Sequence, residues 1–304
     1  MRLSIIVCTF NRAYALQPCL DSIAAAIAAA PGSDAEIVVV NNNSTDDTKA
    51  VLEQWAGACA IPVQLIFEAK KGLAAARNCG IRAARGDIIA FTDDDCRMRP
   101  AYVSDLLRHY AMDQEAVMRG GRIELGDPTD LPLTIKTDLE PMRWDRSAPA
   151  ARHALMGGEC IAGCNMAMPR AVIDKLGPFD EKLGAGARIP GGEDTDYFLR
   201  AYLAGVPIVY VPDMVIDHWH GRKSPQQANR LVRNYSTANG ALYAKYLFRA
   251  PSVCRGLYWD IRNALKELFR GRNTYLPDWK FSARDKVRYA VLGMMKYCYH
   301  SIVR

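Results

Sequence analysis

The first hundred residues alternate short apolar runs with longer stretches of helical period, and no other feature constrains the fold as tightly. Residues 3–8, 36–40, 62–67 and 87–91 read as strands. Between them, residues 15–30, 45–56 and 72–84 read as helices, the second introduced by Ser44. Short strands that are apolar throughout, each followed by a helix, predict a parallel sheet covered on both faces. Such sheets bind ligands at the carboxyl ends of their strands. Polar clusters stand at three of those ends: Thr9-Phe10-Asn11-Arg12, Asn41-Asn42-Asn43-Ser44 and Asp93-Asp94-Asp95. Three adjacent carboxylates repel one another, and nothing basic lies within that last cluster. A divalent metal would relieve the repulsion; a solvated turn or a helix cap is the plainer reading, although a cap needs only one acidic oxygen.

The 304 residues suffice for one large domain, or one domain with an extension. Half are hydrophobic and 24% charged, a soluble globular composition. No apolar run approaches the ~20 residues of a membrane helix. The opening residues lack the apolar stretch and cleavage site of an export signal. Nine cysteines, an odd number without framework spacing, fit free thiols in a reducing cytoplasm. Cys160 and Cys164 have no second pair or nearby histidine to complete a structural zinc set. A cytoplasmic location is expected.

Charge divides the chain. Residues 221–304 carry 17 Lys/Arg against 4 Asp/Glu, a net of +13, whereas the first 220 carry a net of −7. The basic portion is expected to be a mainly helical C-terminal extension facing something anionic. Near its end Val287, Ala290, Val291, Met294, Met295, Cys298 and Ile302 share one helical face, and Ser282 with Asp285 has the pattern of a capping box. Two roles are expected for residues 225–304: attachment to the inner, anionic face of a membrane, or packing on the catalytic domain or a second copy in a homodimer. Residues 120–160, with Gly120-Gly121, Asp127-Pro128 and Leu131-Pro132, read as an irregular connection or lid.

No Gly-x-Gly-x-x-Gly follows the first strand, and no Gly-Lys-Ser/Thr occurs, so neither a dinucleotide fold nor a P-loop is expected. What stands there instead is Thr9-Phe10-Asn11-Arg12, then Val39–Thr48 with its Asn run, Lys71-Gly72-Leu73-Ala74-Ala75-Ala76-Arg77-Asn78, and Phe91-Thr92-Asp93-Asp94-Asp95. Further on come Gly191-Gly192-Glu193-Asp194-Thr195-Asp196 and Asp217-His218-Trp219-His220. In this order, over roughly residues 3–220, the set resembles glycosyltransferase family 2, inverting enzymes with a GT-A-type nucleotide-sugar fold. The resemblance implies an α/β chain with a mixed, mostly parallel sheet flanked by helices. It places a catalytic domain at 1–220, with a nucleotide-binding half at 1–100 and an acceptor and base half at 101–220, followed by the extension at 221–304.

The resemblance also implies roles. Asp93 and Asp95 match the Asp-x-Asp motif, with Asp95 the direct metal ligand, Asp93 facing the ribose or a metal-bound water, and Asp94 in support. Hard carboxylate oxygens suit a divalent cation that neutralises a diphosphate leaving group. His218 is the favoured third ligand, with His220 as the alternative, and an imidazole favours Mn²⁺ over Mg²⁺. Asp194 is the expected base on the acceptor hydroxyl, and Glu193 binds acceptor or supports geometry; the plainer reading is an acidic first turn on a helix at 194–204. Thr9, Asn11, Arg12, Asn41 and Arg77 match nucleotide-pocket positions, together with Asp93 and Asp94. Many members carry Asp where this chain has Asn41, so UDP is favoured while dTDP and GDP stay open. Gly163, Asn165, Gly192 and Glu193 are expected on the acceptor side. The function implied is transfer of a sugar from a nucleotide diphosphate to a sugar or lipid-linked acceptor, in polysaccharide or glycoconjugate synthesis. A nucleotidyltransferase, and a non-catalytic basic membrane- or nucleic-acid-binding protein, are the alternatives; the tail's tyrosines and arginines form no nucleic-acid motif.

Overall fold

A computed structural model describes residues 1–146, 160–270, 274–276 and 279–302. The alternation read from the sequence is realised in order: β1 (Arg2–Thr9), α1 (Ala13–Ala28), β2 (Asp34–Asn41), α2 (Thr48–Ala58), β3 (Val63–Phe67), α3 (Leu73–Ala83) and β4 (Ile88–Asp93). Then follow β5 (Cys96–Met98), α4 (Tyr102–Met112), β6 (Met118–Leu125), β7 (Met142–Trp144), β8 (Asn165–Pro169), α5 (Arg170–Leu176), α6 (Glu193–Leu203) and β9 (Ile208–His218). The basic part comprises α7 (Pro225–Tyr246), a 3-10 turn (Pro251–Cys254), α8 (Arg255–Arg270), a hairpin of β10 (Thr274–Leu276) and β11 (Trp279–Ser282), and α9 (Ala283–Ile302).

The described strands form a nine-stranded mixed sheet in the order β3-β2-β1-β4-β8-β6-β9-β5, with β7 on β9. Its first half is parallel; beyond β4 the pairings of β8 with β4 and β6, and of β5 and β7 with β9, are antiparallel, whereas β6 and β9 run parallel. Ile5 and Val7 face one core, with α1, α2 and α4, and Ile6 faces the other. That alternation is what a strand buried on both faces requires.

Three local expectations are corrected. Ser44 does not cap α2: that helix starts after Asp47, while Ser44 Oγ accepts the backbone N–H of Asn11 at 2.9 Å. Gly120 and Gly121 lie within β6 and not in an irregular connection, because a Cβ on Gly121 would sit 2.0 Å from the carbonyl oxygen of Met214. Glycine is what lets the two backbones approach. Of the rest of the expected lid, residues 147–159 fall outside the described residues, and Met142–Trp144 form β7.

Among its described residues the extension shows no core of its own. Ala238, Ala241, Leu242, Tyr243 and Tyr246 of α7 and Ala290 of α9 belong to the same buried cluster as Phe91, Phe179 and Tyr197 of the sheet layer. Helices α7 and α9 meet at glycines: a Cβ on Gly293 would lie 1.8 Å from Thr237 O, and one on Gly240 would lie 1.9 Å from Ala290 O. The buried face of α9 is therefore rotated from the apolar stripe of the sequence. Ala290 and Gly293 face α7, whereas Val291, Met295 and Ile302 are exposed. The Ser282–Asp285 capping box forms, with Asp285 Oδ2 accepting the Ser282 N–H at 3.0 Å and Ser282 Oγ accepting the Asp285 N–H at 3.3 Å.

Candidate active site

Strand register assembles the donor side. Thr9 pairs with Asn41 and Cys8 with Asp93, so the three polar strand ends share one edge. Asn11, in the left-handed region at φ 51°, accepts the Thr45 N–H with Oδ1 at 2.8 Å and ties the first loop to the second. Asn41 is buried, and its Oδ1 accepts the Ser44 N–H at 3.0 Å, so the oxygen that the sequence offered to a base already carries one bond. Thr9 is buried at the root of the same loop.

The acidic triplet is relieved by partners far away in sequence. Arg12 places Nη2 3.3 Å from Asp95 and Nε 3.8 Å from Asp94. Arg77, on α3, is 3.3 Å from Asp93. His218 lies opposite Cys96 in the β5–β9 ladder, which brings its Nε2 to 3.4 Å from Asp95 Oδ1. Electrostatics sort the three carboxyls. Burial, together with the charge of Asp95, pushes Asp94 up to about 7 although Arg12 opposes it. Burial likewise raises Asp93 against the pull of Arg77. Burial would raise Asp95 too, but the hydrogen bond and charge of His218 outweigh it and hold the carboxyl below its ordinary value. Burial opposes protonation of His218, yet the Asp95 hydrogen bond prevails and pushes it up to about 9. Without a metal, pairing with Asp95 favours the charged form of His218; a bound cation would replace that proton.

The two histidines have different duties. His220 accepts the Arg222 N–H on Nδ1 at 3.0 Å, and its Nε2 faces Leu131 O at 3.1 Å, so both ring nitrogens are engaged. His218 turns Nδ1 toward Thr134, with O and Oγ1 both at 3.3 Å, and Nε2 toward Asp95. A backbone carbonyl on the far nitrogen is how a metal-binding imidazole is usually oriented. Asp93, Asp95 and His218 therefore fit a divalent cation, two hard oxygens and one imidazole nitrogen.

Glu193 and Asp194 open α6, after Gly191 at φ 135° and Gly192 at φ 83°, a turn that glycine makes without strain. Ala238 of α7 packs on Gly192, 3.1 Å from where its Cβ would be, so the extension forms part of the wall. Glu193 is buried, and its Oε1 accepts from Arg77 Nη1 at 3.1 Å. Burial and the charge of Asp194 raise Glu193, with Arg77 opposing. Asp194 is only half-buried; Oδ2 accepts the Gly163 N–H at 3.1 Å and Oδ1 the Thr195 N–H at 2.7 Å. Gly163 in turn gives its carbonyl to Arg77 Nη2 at 3.1 Å, and a Cβ there would come within 3.0 Å of both Arg77 and Asp194. Arg77 is thus no free cation on a helix surface: it joins Asp93, Gly163 and Glu193.

The acceptor-side reading of Asn165 is overturned. Its side chain is fully buried, donates Nδ2 to Arg122 O and Met214 O at 3.0 Å each, and accepts from Tyr102 Oη at 2.8 Å. With no exposed atom it cannot reach a sugar hydroxyl; it ties β8 to β6 and β9. Sequence reasoning passed over Tyr235, whose partly exposed ring packs beside Gly191. It passed over Thr134 too, since nothing local in the sequence connects either residue to the site.

The chain is similar to known proteins in sequence and in fold. A sequence model described as "Glycosyl transferase family 2" matches residues 4–177. The glycosyltransferase AglE of Haloferax volcanii is 27% identical over 218 residues, 71% of this chain and 66% of that protein. The chain spans less than two thirds of the length of the first curated relatives it matches. Among solved structures, the mannosyltransferase PcManGT from Pyrobaculum calidifontis, in complex with GDP-Man and Mn²⁺, superposes with a TM-score of 0.58 at 18% identity, covering 98% of this chain and 87% of that one. S. aureus TarS 1-349 in complex with UDP-GlcNAc superposes with a TM-score of 0.55 at 17% identity, covering 89% and 78%.

Proposed function

The chain belongs to glycosyl transferase family 2, and from that premise we propose that it transfers one sugar, with inversion, from a UDP-sugar to an acceptor hydroxyl. The observation that carries the reading is the convergence of two acidic groups from opposite halves of the fold. Asp93 and Glu193 share the guanidinium of Arg77, and Asp194 rests on Gly163 beside it. A donor-side carboxylate set and a half-exposed carboxylate across from it are what displacement at an anomeric carbon needs.

Asp194 is the base. Its two oxygens are oriented by backbone N–H groups, while Glu193 is spent on Arg77 and acts by positioning. Asp95, Asp93 and His218 would hold a divalent cation, Mn²⁺ in preference to Mg²⁺, and that cation would supply the charge that steadies a departing diphosphate. Thr9, Asn11, Arg12 and Asn41 shape the nucleotide end, with Arg12 and Arg77 setting the positions of Asp94, Asp95 and Asp93. One solved neighbour holds UDP-GlcNAc and another GDP-Man, and between them the reading favours UDP.

The acceptor is a sugar chain or a lipid-linked sugar, presented at an anionic membrane surface on the cytoplasmic side. Support comes from α8: Tyr258, Ile261, Leu265, Leu268 and Phe269 are exposed along one stripe, flanked by Arg255, Arg262 and Lys266. No helix among the described residues is long and apolar enough to cross a membrane.

The test is turnover. Asp194→Asn should bind UDP with Mn²⁺ as the wild type does and lose transfer by a factor of about 10²–10⁴. Full activity in that variant would remove Asp194 as the base.

A further inference from the structure

Beside the carboxylates lies a second donor set of different chemistry. Cys96 opens β5 directly after the acidic triplet, Cys164 immediately precedes β8, and His218 closes β9. All three are buried, and one ligand atom from each lies within 4.8 Å of the others. The topology brings them together: Cys96 pairs with His218 in the β5–β9 ladder, and both thiols belong to the same core cluster beneath the sheet. Asp95 Oδ1 borders the group, 3.9 Å from Cys96 Sγ and 3.4 Å from His218 Nε2. Cys160, the sequence neighbour of Cys164, packs in the opposite core cluster and takes no part.

Two sulfurs and an imidazole do not match the preference of Mg²⁺ or Mn²⁺ for oxygen; they match Zn²⁺. We propose that Cys96, Cys164 and His218, completed by Asp95, form a zinc site, and that filling it inhibits the enzyme. Zinc bonds of about 2.0–2.3 Å put tetrahedral ligand atoms roughly 3.3–3.8 Å apart. Donors already within 4.8 Å of each other reach that spacing by small side-chain adjustments. Each thiol, and the imidazolium of His218 at its ligating nitrogen, loses a proton to solvent as it bonds to zinc, and the two thiolate charges cancel that of the ion. The Asp95 carboxylate keeps Arg12 as its counterion at 3.3 Å. Inhibition follows because His218 and Asp95 cannot serve two ions at once; this half of the inference rests on the roles proposed for them above.

Co²⁺ reports the site without any assay of transfer. Wild-type protein titrated with Co²⁺ should bind one ion per chain with an intense thiolate-to-cobalt charge-transfer band and visible bands of tetrahedral strength, both displaced by Zn²⁺ and unmoved by excess Mg²⁺. Cys164→Ser and Cys96→Ser should each weaken binding by more than roughly tenfold and lose charge-transfer intensity, while retaining UDP binding with Mn²⁺. Zinc should inhibit Mn²⁺-supported transfer in the wild type and spare the Cys164→Ser variant. A weak octahedral spectrum without a sulfur band in the wild type, which needs no variant to interpret, overturns the site. So do bands unchanged in both variants. Equal zinc inhibition of wild type and Cys164→Ser overturns the regulatory half. Absence of transfer from every donor sugar would instead count against the glycosyltransferase reading and leave the cobalt result standing.

Discussion

Arg77 reaches Glu193 across 116 positions of sequence, Nη1 to Oε1 at 3.1 Å, and both side chains are buried. The same guanidinium holds Asp93 and the carbonyl of Gly163. One residue of α3 therefore fixes the distance between Asp93 and the segment that carries Asp194, the proposed base. A buried pair of this kind adds little net stability against an apolar replacement, but removing one member strands a charge.

Arg77→Met should accordingly cost about 3–5 kcal/mol in urea-induced unfolding. Adding Glu193→Gln should recover part of that loss, since the second change removes the stranded carboxylate. Strictly additive losses in the double-mutant cycle would show that the two groups are not coupled. Lysine is no substitute here, because a single ammonium cannot span three acceptors.

Asn165→Ala tests the corrected role of that residue. The change leaves Tyr102 Oη, Arg122 O and Met214 O without their partner in a fully buried place. The expected loss is about 2–4 kcal/mol of stability, with acceptor KM for the folded enzyme within roughly twofold of wild type. A large rise in KM at unchanged stability would restore the acceptor-binding assignment.

Docking of the extension should weaken in acid. Lys245 of α7 sits 2.7 Å from Asp180 and 2.8 Å from Asp196, and Tyr297 of α9 donates to Asp180 at 3.2 Å. Burial would raise Asp180, but the charge and hydrogen bond of Lys245 outweigh it and hold the carboxyl below its ordinary value. The unfolded chain then takes up this proton first as pH falls, from about 3.9. The contribution is complete above about pH 5 and is lost as pH drops through the folded-state value. Thermal melts should show Lys245→Met less stable than wild type at neutral pH, with the gap closing toward pH 3. A gap that does not change with pH would rule out this linkage.

The α8 stripe gives a prediction that is independent of catalysis. Leu265→Glu with Phe269→Glu should abolish co-sedimentation with vesicles containing anionic lipid, and leave transfer to a soluble acceptor intact. Wild-type binding should fall as salt rises, because screening weakens the contribution of Arg255, Arg262 and Lys266. Binding that is equal on neutral vesicles, or a shift in oligomeric state with no vesicle binding, would favour a second copy of the chain as the occupant.

What the sequence determined by itself is the periodic part and the ordered motifs. Apolar strands with helices between them dictate a sheet covered on both sides, and carboxyl-end polarity marks the site edge, because hydrogen bonding and burial repeat along the chain at fixed periods. The order of Thr9–Arg12, Asn41, Asp93–Asp95, Glu193–Asp194 and His218 carried the family. Only the tertiary structure decided which charges meet. The triplet, unrelieved within its own stretch of sequence, is met by Arg12, Arg77 and His218, of which the nearest in sequence, Arg77, lies 16 positions before Asp93. Asn165 and His220 have the composition of site residues, yet every polar group they own is satisfied internally. The α9 stripe was legible, but its buried face turned toward Gly240 and Gly293, since close backbone approach follows the smallest residues as well as the most apolar ones. Periodicity is a local property and is written in the sequence. Charge neutralisation depends on separation in space, and the register of β5 on β9 and of β4 on β1 sets that separation.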